Sequence, residues 1–196
     1  MLSVKNKLIL FSLLSCSILS FANEDKARSN QSSVKSLQET EQQFEKFDKP
    51  GTYVFVLEGL PTERYPNGMK ELGQRKVEKA PNGLNIYVEG KKEYKSQDGQ
   101  LHIEAIKNVH HYFKSPEEEF KLIYVSSSGA HSTGTLVDLT DNSLTLETQG
   151  YSDLLGKNAK SKWVKTLTND GYDVTVYYLV DGTWKELRKG NYRKVE

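Results

Sequence analysis

The chain has 196 residues, 27 Lys and Arg against 26 Asp and Glu, a formal net charge of +1 and one cysteine. A balance so close to neutral, with no basic stripe to track phosphates, excludes nucleic acid as the expected partner. One cysteine excludes an intrachain disulfide framework.

Residues 1–22 read as a signal peptide rather than as part of the fold. Lys5 and Lys7 give a positive start, Leu8 to Leu14 an apolar core, and Ser20 and Ala22 small residues for cleavage after Ala22. The run from Leu8 to Ala22 holds four serines, and it is shorter than the roughly 20 apolar residues a membrane span needs. Cys16 follows Leu13-Leu14-Ser15, which resembles a bacterial lipoprotein box. The bulky Leu14 and the apolar run continuing through Ile18, Leu19 and Phe21 favour plain cleavage. The expected destination is the periplasm or the exterior; an outer-membrane lipoprotein, in contact with a membrane through Cys16, is the alternative. Cleavage removes Lys5, Lys7 and Cys16, leaving 25 basic against 26 acidic residues and no thiol.

Residues 23–50 form a polar lead-in and a short helix. Val34, Leu37, Phe44 and Phe47 fall at helical intervals from about Ser33, and Pro50-Gly51 ends the pattern. Its polar face carries Glu39, Glu41 and Glu45, so packing on the next domain is expected over lying on a membrane.

From 51 to 196 the chain is a succession of strand signals. Thr52–Glu58 alternates Tyr53, Phe55 and Leu57 with Val54 and Val56, and Thr62–Gly68 reads as a loop. A charged run, Lys70–Lys79, comes next. Asn82-Gly83 and Asp98-Gly99 are hairpin signals, leading into Leu84–Val88 and Leu101–Lys114. Phe120–Val125, Gly134–Leu139, Ser143–Thr148 and Lys162–Thr168 continue the series. Tyr172–Val180 and Trp184–Lys194 then pair around Asp181-Gly182 as a closing hairpin. Full closure removes exposed edges. The expected fold is therefore all-β: an antiparallel up-and-down barrel of about eight to ten strands with a preceding N-terminal helix. A β-sandwich is the alternative.

Phe44-Glu-Lys-Phe-Asp-Lys-Pro-Gly-Thr-Tyr resembles the start of a lipocalin-type domain, with Gly51 at the glycine and Tyr53 where a tryptophan is usual. The ending, Asp181 to Arg193, resembles that of small bacterial lipocalin-like (calycin-type) domains of unassigned function. The resemblance spans roughly Phe44 to Val195. It implies a closed barrel, with Arg188 or Arg193 as the cation that covers the Tyr53 ring, and it brings no catalytic residues.

Eight strands enclose room for side chains or for one small ligand. Tyrosines pair an apolar ring with a hydroxyl that needs a partner when buried, which suits a mostly apolar ligand with a polar head. Tyr53, Phe55, Tyr112, Tyr124, Trp163, Tyr178, Arg188 and His111 are the candidate lining residues. His110 and His111 point to opposite faces of one strand, and His102 lies about 26 Å from His110 along it, too far to share a metal. The Leu101, Ile103, Ala105, Val109, Phe113 face reads as buried and would turn His111 inward; a bulge near Ile106-Lys107 would turn His110 inward instead. His131 reads as a loop residue. No nucleophile elbow, phosphate loop or metal-spaced cluster stands out, so no catalytic residue, metal or cofactor is assigned. Three functions follow: a non-enzymatic binding protein for a small, mostly apolar ligand; an interaction or structural module with a filled barrel; and a haem-binding barrel using an inward histidine. Oligomeric state is left open.

Overall fold

Alternation of side chains carries the architecture, because each strand must present one face to a core and one to water. The computed structural model describes residues 44–117 and 119–195. The signal segment, Cys16 and the first part of the expected helix lie outside the described residues. Ten strands run in order: β1 (Gly51–Gly59), β2 (Met69–Ala80), β3 (Gly83–Lys95), β4 (Leu101–Lys114), β5 (Phe120–Ser126), β6 (His131–Leu139), β7 (Ser143–Ser152), β8 (Lys157–Thr168), β9 (Gly171–Val180) and β10 (Thr183–Val195). Each pairs antiparallel with its sequence neighbour, and β10 returns to β1, so the sheet closes as an up-and-down barrel. The sandwich alternative is thereby set aside. A single helical turn at 44–47, α1, precedes β1.

Several boundaries move for identifiable reasons. The last hairpin turns at Asp181 (φ 52°) and Gly182 (φ 76°), the two positive values of a type I′ turn, with Val180 opposite Thr183. At Asn82-Gly83 the turn sits one residue earlier than expected. Ala80 pairs with Gly83, leaving Pro81 and Asn82 as the corner. Proline's fixed φ suits the first corner position of an ordinary turn, so Gly83 becomes a strand residue. His131 opens β6 instead of lying in a loop.

The interior is divided into layers. At the α1 end, Phe44 and Phe47 enter the barrel mouth; Phe44 lies 5.2 Å from both Tyr112 and Phe120, ring centre to ring centre. Ile86, Leu122, Leu144 and Leu146 fill the space around them. At the opposite end the 60–68 loop folds over the rim. Its Tyr65 is buried, and Thr62 Oγ1 donates to the Leu154 carbonyl at 3.0 Å.

Candidate functional site

Three polar clusters are stacked along the barrel axis, each assembled from strands distant in sequence. The lowest is built on Asp48, which follows α1 and is fully enclosed. Arg75 of β2 donates to its Oδ1 at 2.6 Å and Lys165 of β8 to its Oδ2 at 2.7 Å. Burial alone would raise the Asp48 pKa, but the two cations bring it down to about 2. Burial, only partly offset by Asp48, lowers Lys165 to about 8. The Arg75 guanidinium also lies over the rings of Tyr53, Tyr172 and Tyr192 at 5.9, 5.3 and 5.0 Å. This network locks α1 into the barrel and closes that end.

The uppermost cluster ties down the opposite rim. Lys92 is almost wholly buried, and its Nζ donates to Asp153 Oδ2 at 2.8 Å and to the Tyr65 hydroxyl at 2.9 Å. It also pairs with Glu104 at 2.8 Å, while Arg64 pairs with Asp153 at 3.1 Å. The 60–68 loop, β3, β4 and the turn after β7 are thereby joined.

Between them, Glu71 of β2 and Arg188 of β10 form an ion pair inside the lumen. Burial opposes charge on Arg188, yet Glu71 and the neighbouring tyrosines hold its pKa above the ordinary arginine value. Two small cavities flank this pair. One, of about 40 Å³, is lined in part by Ser132, Thr148, Ser161, Trp163 and Tyr178. The other, of about 20 Å³, lies deeper beside Phe55, Val88, His110 and Val176. Glu71, Asn108, Tyr124, Trp163 and Arg188 border both. Here Asn108 Oδ1, His110 Nδ1 and Arg188 Nε are buried and make no hydrogen bond among the described residues. Burial, reinforced by Arg75 and Lys165, holds the His110 pKa well below its usual value, so the ring is neutral. Its near neighbours are Tyr124 at 4.8 Å and Trp163 at 6.0 Å. Among the described residues no group of three or more His, Cys, Asp and Glu side chains is placed to hold a metal.

The candidate residues divide between these layers. Tyr124, Trp163, Tyr178 and Arg188 meet at the 40 Å³ cavity, and Phe55 borders the smaller one. Tyr53 and Tyr112 belong to the closed end: the Tyr53 hydroxyl donates to the Lys49 carbonyl at 2.9 Å, and Tyr112 accepts from Lys165 at 3.4 Å. His111 does not enter the lumen. It faces outward, 2.7 Å from Asn85 Oδ1 and stacked on Phe113 at 5.3 Å. The register of β4 runs without a shift against both β3 and β5, so no bulge is involved. The whole strand is turned the other way: Ile106, His110 and Tyr112 are buried, while Leu101, Ile103 and Val109 are exposed. The cation over Tyr53 is Arg75 rather than a β10 arginine. Arg188 serves Glu71, and Arg193 pairs with Asp173 at 2.7 Å toward the outside. Glu71 and Asn108 were not legible as lining residues, because a charged strand and an alternation that breaks at Ile106-Lys107 give no sign of which face is inward.

No protein-family model matches the chain, and no curated protein matches it. Among solved structures, a de novo designed fluorescence-activating β-barrel is 17% identical at a TM-score of 0.36, covering 76% of this chain and 94% of that one. A redesigned β-barrel, mFAP1, bound to DFHBI, is 16% identical at a TM-score of 0.33, covering 74% of this chain and 94% of that one. Likenesses at this level carry nothing about function.

Proposed function

We propose that this chain is an exported, non-enzymatic, lipocalin-like binding protein that takes one small polar molecule into the far half of its barrel. The observation that carries this reading is the pair of cavities beside Glu71 and Arg188: Asn108 and Arg188 border both and His110 borders the smaller, and each of these three residues holds a buried polar atom without a partner among the described residues. Unpaired polar atoms in such a place are costly, on the order of 1–3 kcal/mol each, and a bound molecule that pairs them recovers that energy. The lining favours a small polar ligand over the mostly apolar one that the tyrosines suggest, since Ser126, Ser128, Ser132, Thr148 and Ser161 all contribute to the wall of the larger cavity. Glu71 and Arg188 already neutralise one another, which favours an uncharged ligand with both donors and acceptors. Haem is disfavoured: the space beside His110 is about 20 Å³, against roughly 300–1,000 Å³ for ordinary ligand clefts. Support for export is the charge, apolar core and cleavage pattern of residues 1–22.

Mass spectrometry of the natively purified protein after denaturation tests the reading, together with titration of glycerol, acetamide and acetate against Trp163 emission in a Trp184→Phe background. A released small polar molecule, or a saturable response to a neutral probe that Ala159→Phe abolishes by filling the larger cavity, is expected. No released molecule and no saturable response to any of the probes would sink it.

The second reading, an interaction module with a filled barrel, draws on the α1 half, where Phe47, Tyr112, Leu144 and the Asp48 network occupy the lumen.

A further inference from the structure

A closed barrel still has ragged ends, because its strands are staggered and the tip of a strand can overrun its neighbour. On β4, residues 108–114 pair with β5, whereas Leu101 to Ile106 pair only with β3. Among the described residues, their other side has no strand beside it. Similar stretches occur at 136–139 of β6, 157–160 of β8 and 183–187 of β10. Unpaired edges are templates for strand addition, and proteins blunt them with lysine, with bulges or with cover. Lys157 and Lys160 mark the β8 edge, and register shifts interrupt β6 at Leu136/Asp138 and β10 at Glu186/Arg188. Among the described residues, the β4 edge, Leu101-His102-Ile103-Glu104-Ala105, carries no lysine, bulge or covering segment, and Leu101 and Ile103 stand 56% and 58% exposed.

The direction of its backbone groups follows from the hairpin. Ser96 N donates to Gln100 O at 3.0 Å, which starts the β3–β4 ladder. Alternation then turns the even-numbered residues 102, 104 and 106 toward β3 and the odd-numbered ones away. Lys107 confirms the phase, since its carbonyl accepts from Ser127 N at 2.8 Å and its N–H donates to Ser127 Oγ at 2.9 Å, both on the side away from β3. The free N–H and C=O groups therefore belong to Leu101, Ile103 and Ala105.

We propose that this edge pairs antiparallel with the same edge of a second copy, about a two-fold axis at Ile103. In that register Ile103 faces Ile103, Leu101 faces Ala105, and His102 faces Glu104. All the free backbone groups of these three residues find partners, and the apolar side chains share one face. Shifting the axis by one residue to Glu104 would oppose the two Glu104 carboxylates, and like charges directly opposite are destabilising. Self-complementarity of this kind is what a two-fold interface requires.

The test is sedimentation of the purified protein across a concentration series, combined with hydrogen exchange of individual amides. A reversible dimer is expected. Ile103→Lys, a substitution at an exposed outward site, weakens it at least tenfold without changing the melting midpoint by more than about 2 °C. The Leu101, Ile103 and Ala105 amides gain protection as concentration rises, while His102 and Glu104 are protected throughout. A monomer at every concentration overturns the proposal, as does a dimer that Ile103→Lys leaves intact. An edge protected only when an unrelated peptide is added also overturns it.

Discussion

Enclosed between Arg75 and Lys165, the Asp48 carboxylate makes the barrel's stability depend on pH at its acid end. With a pKa lowered from 3.8 to about 2 in the folded state, it contributes stability that is fully present above pH 4 and lost as pH falls through 2. The size of that contribution is about 2 kcal/mol. His110 acts earlier. Its folded pKa lies well below 6.5, so the unfolded chain binds a proton first and stability falls from pH 6.5 downward, by up to about 1.4 kcal/mol per pH unit. Urea unfolding from about pH 1 to pH 8 should therefore show two windows, the upper one absent in His110→Phe. Asp48→Asn, which leaves two cations buried, should cost about 3–5 kcal/mol at pH 7; a loss under 1 kcal/mol would contradict the network. None of this was legible in the sequence. Asp48 reads as a surface residue after a helix, since its partners lie 27 and 117 positions away.

At the scale of elements, turn chemistry was the most legible signal and strand orientation the least. Asp181-Gly182 holds two positive φ values, and a Cβ added at Gly182 meets nothing within 4 Å. Gly182→Val therefore isolates backbone strain from crowding and should destabilise by about 1 kcal/mol or more. An unchanged melting midpoint would argue against the turn. On β4 hydrophobicity points to the wrong face, because the lumen takes Ile106, Asn108, His110 and Tyr112 while Leu101, Ile103 and Val109 stay outside. Of the three polar residues, Tyr112 meets a side-chain partner in Lys165 of β8, whereas Asn108 Oδ1 and His110 Nδ1 stay unpaired among the described residues, which costs free energy rather than gaining it. The charged β2 is paired instead: Glu71 and Arg75 point inward to Arg188 and Asp48.

For the whole molecule, the number of strands, their order of appearance and the preference for closure could all be read from alternation and turns. The division of the lumen into a plugged half and a half with room could not, since it depends on side chains brought together from strands distant in sequence. Gly73 and Gly90 face each other across β2 and β3. A Cβ on Gly73 would lie 2.2 Å from the Glu89 carbonyl, so at this point only backbone fits between the two strands.

Because β1 finds its second partner in β10, with Thr52 beside Val195 and Gly59 beside Arg188, the ring cannot exist until nearly the whole chain has been collected. The hairpins between successive strands are local and quick to form; joining the two ends of the sheet carries the largest loop-closure entropy of the fold. Refolding should therefore take milliseconds to seconds, as in other proteins dominated by non-local pairing. The seam should also set the barrier. Gly190→Ala, whose Cβ would lie 2.0 Å from the Val56 carbonyl, should slow refolding in stopped-flow experiments more than it speeds unfolding. The reverse ratio would mean that the ring snaps shut only after the rate-limiting step.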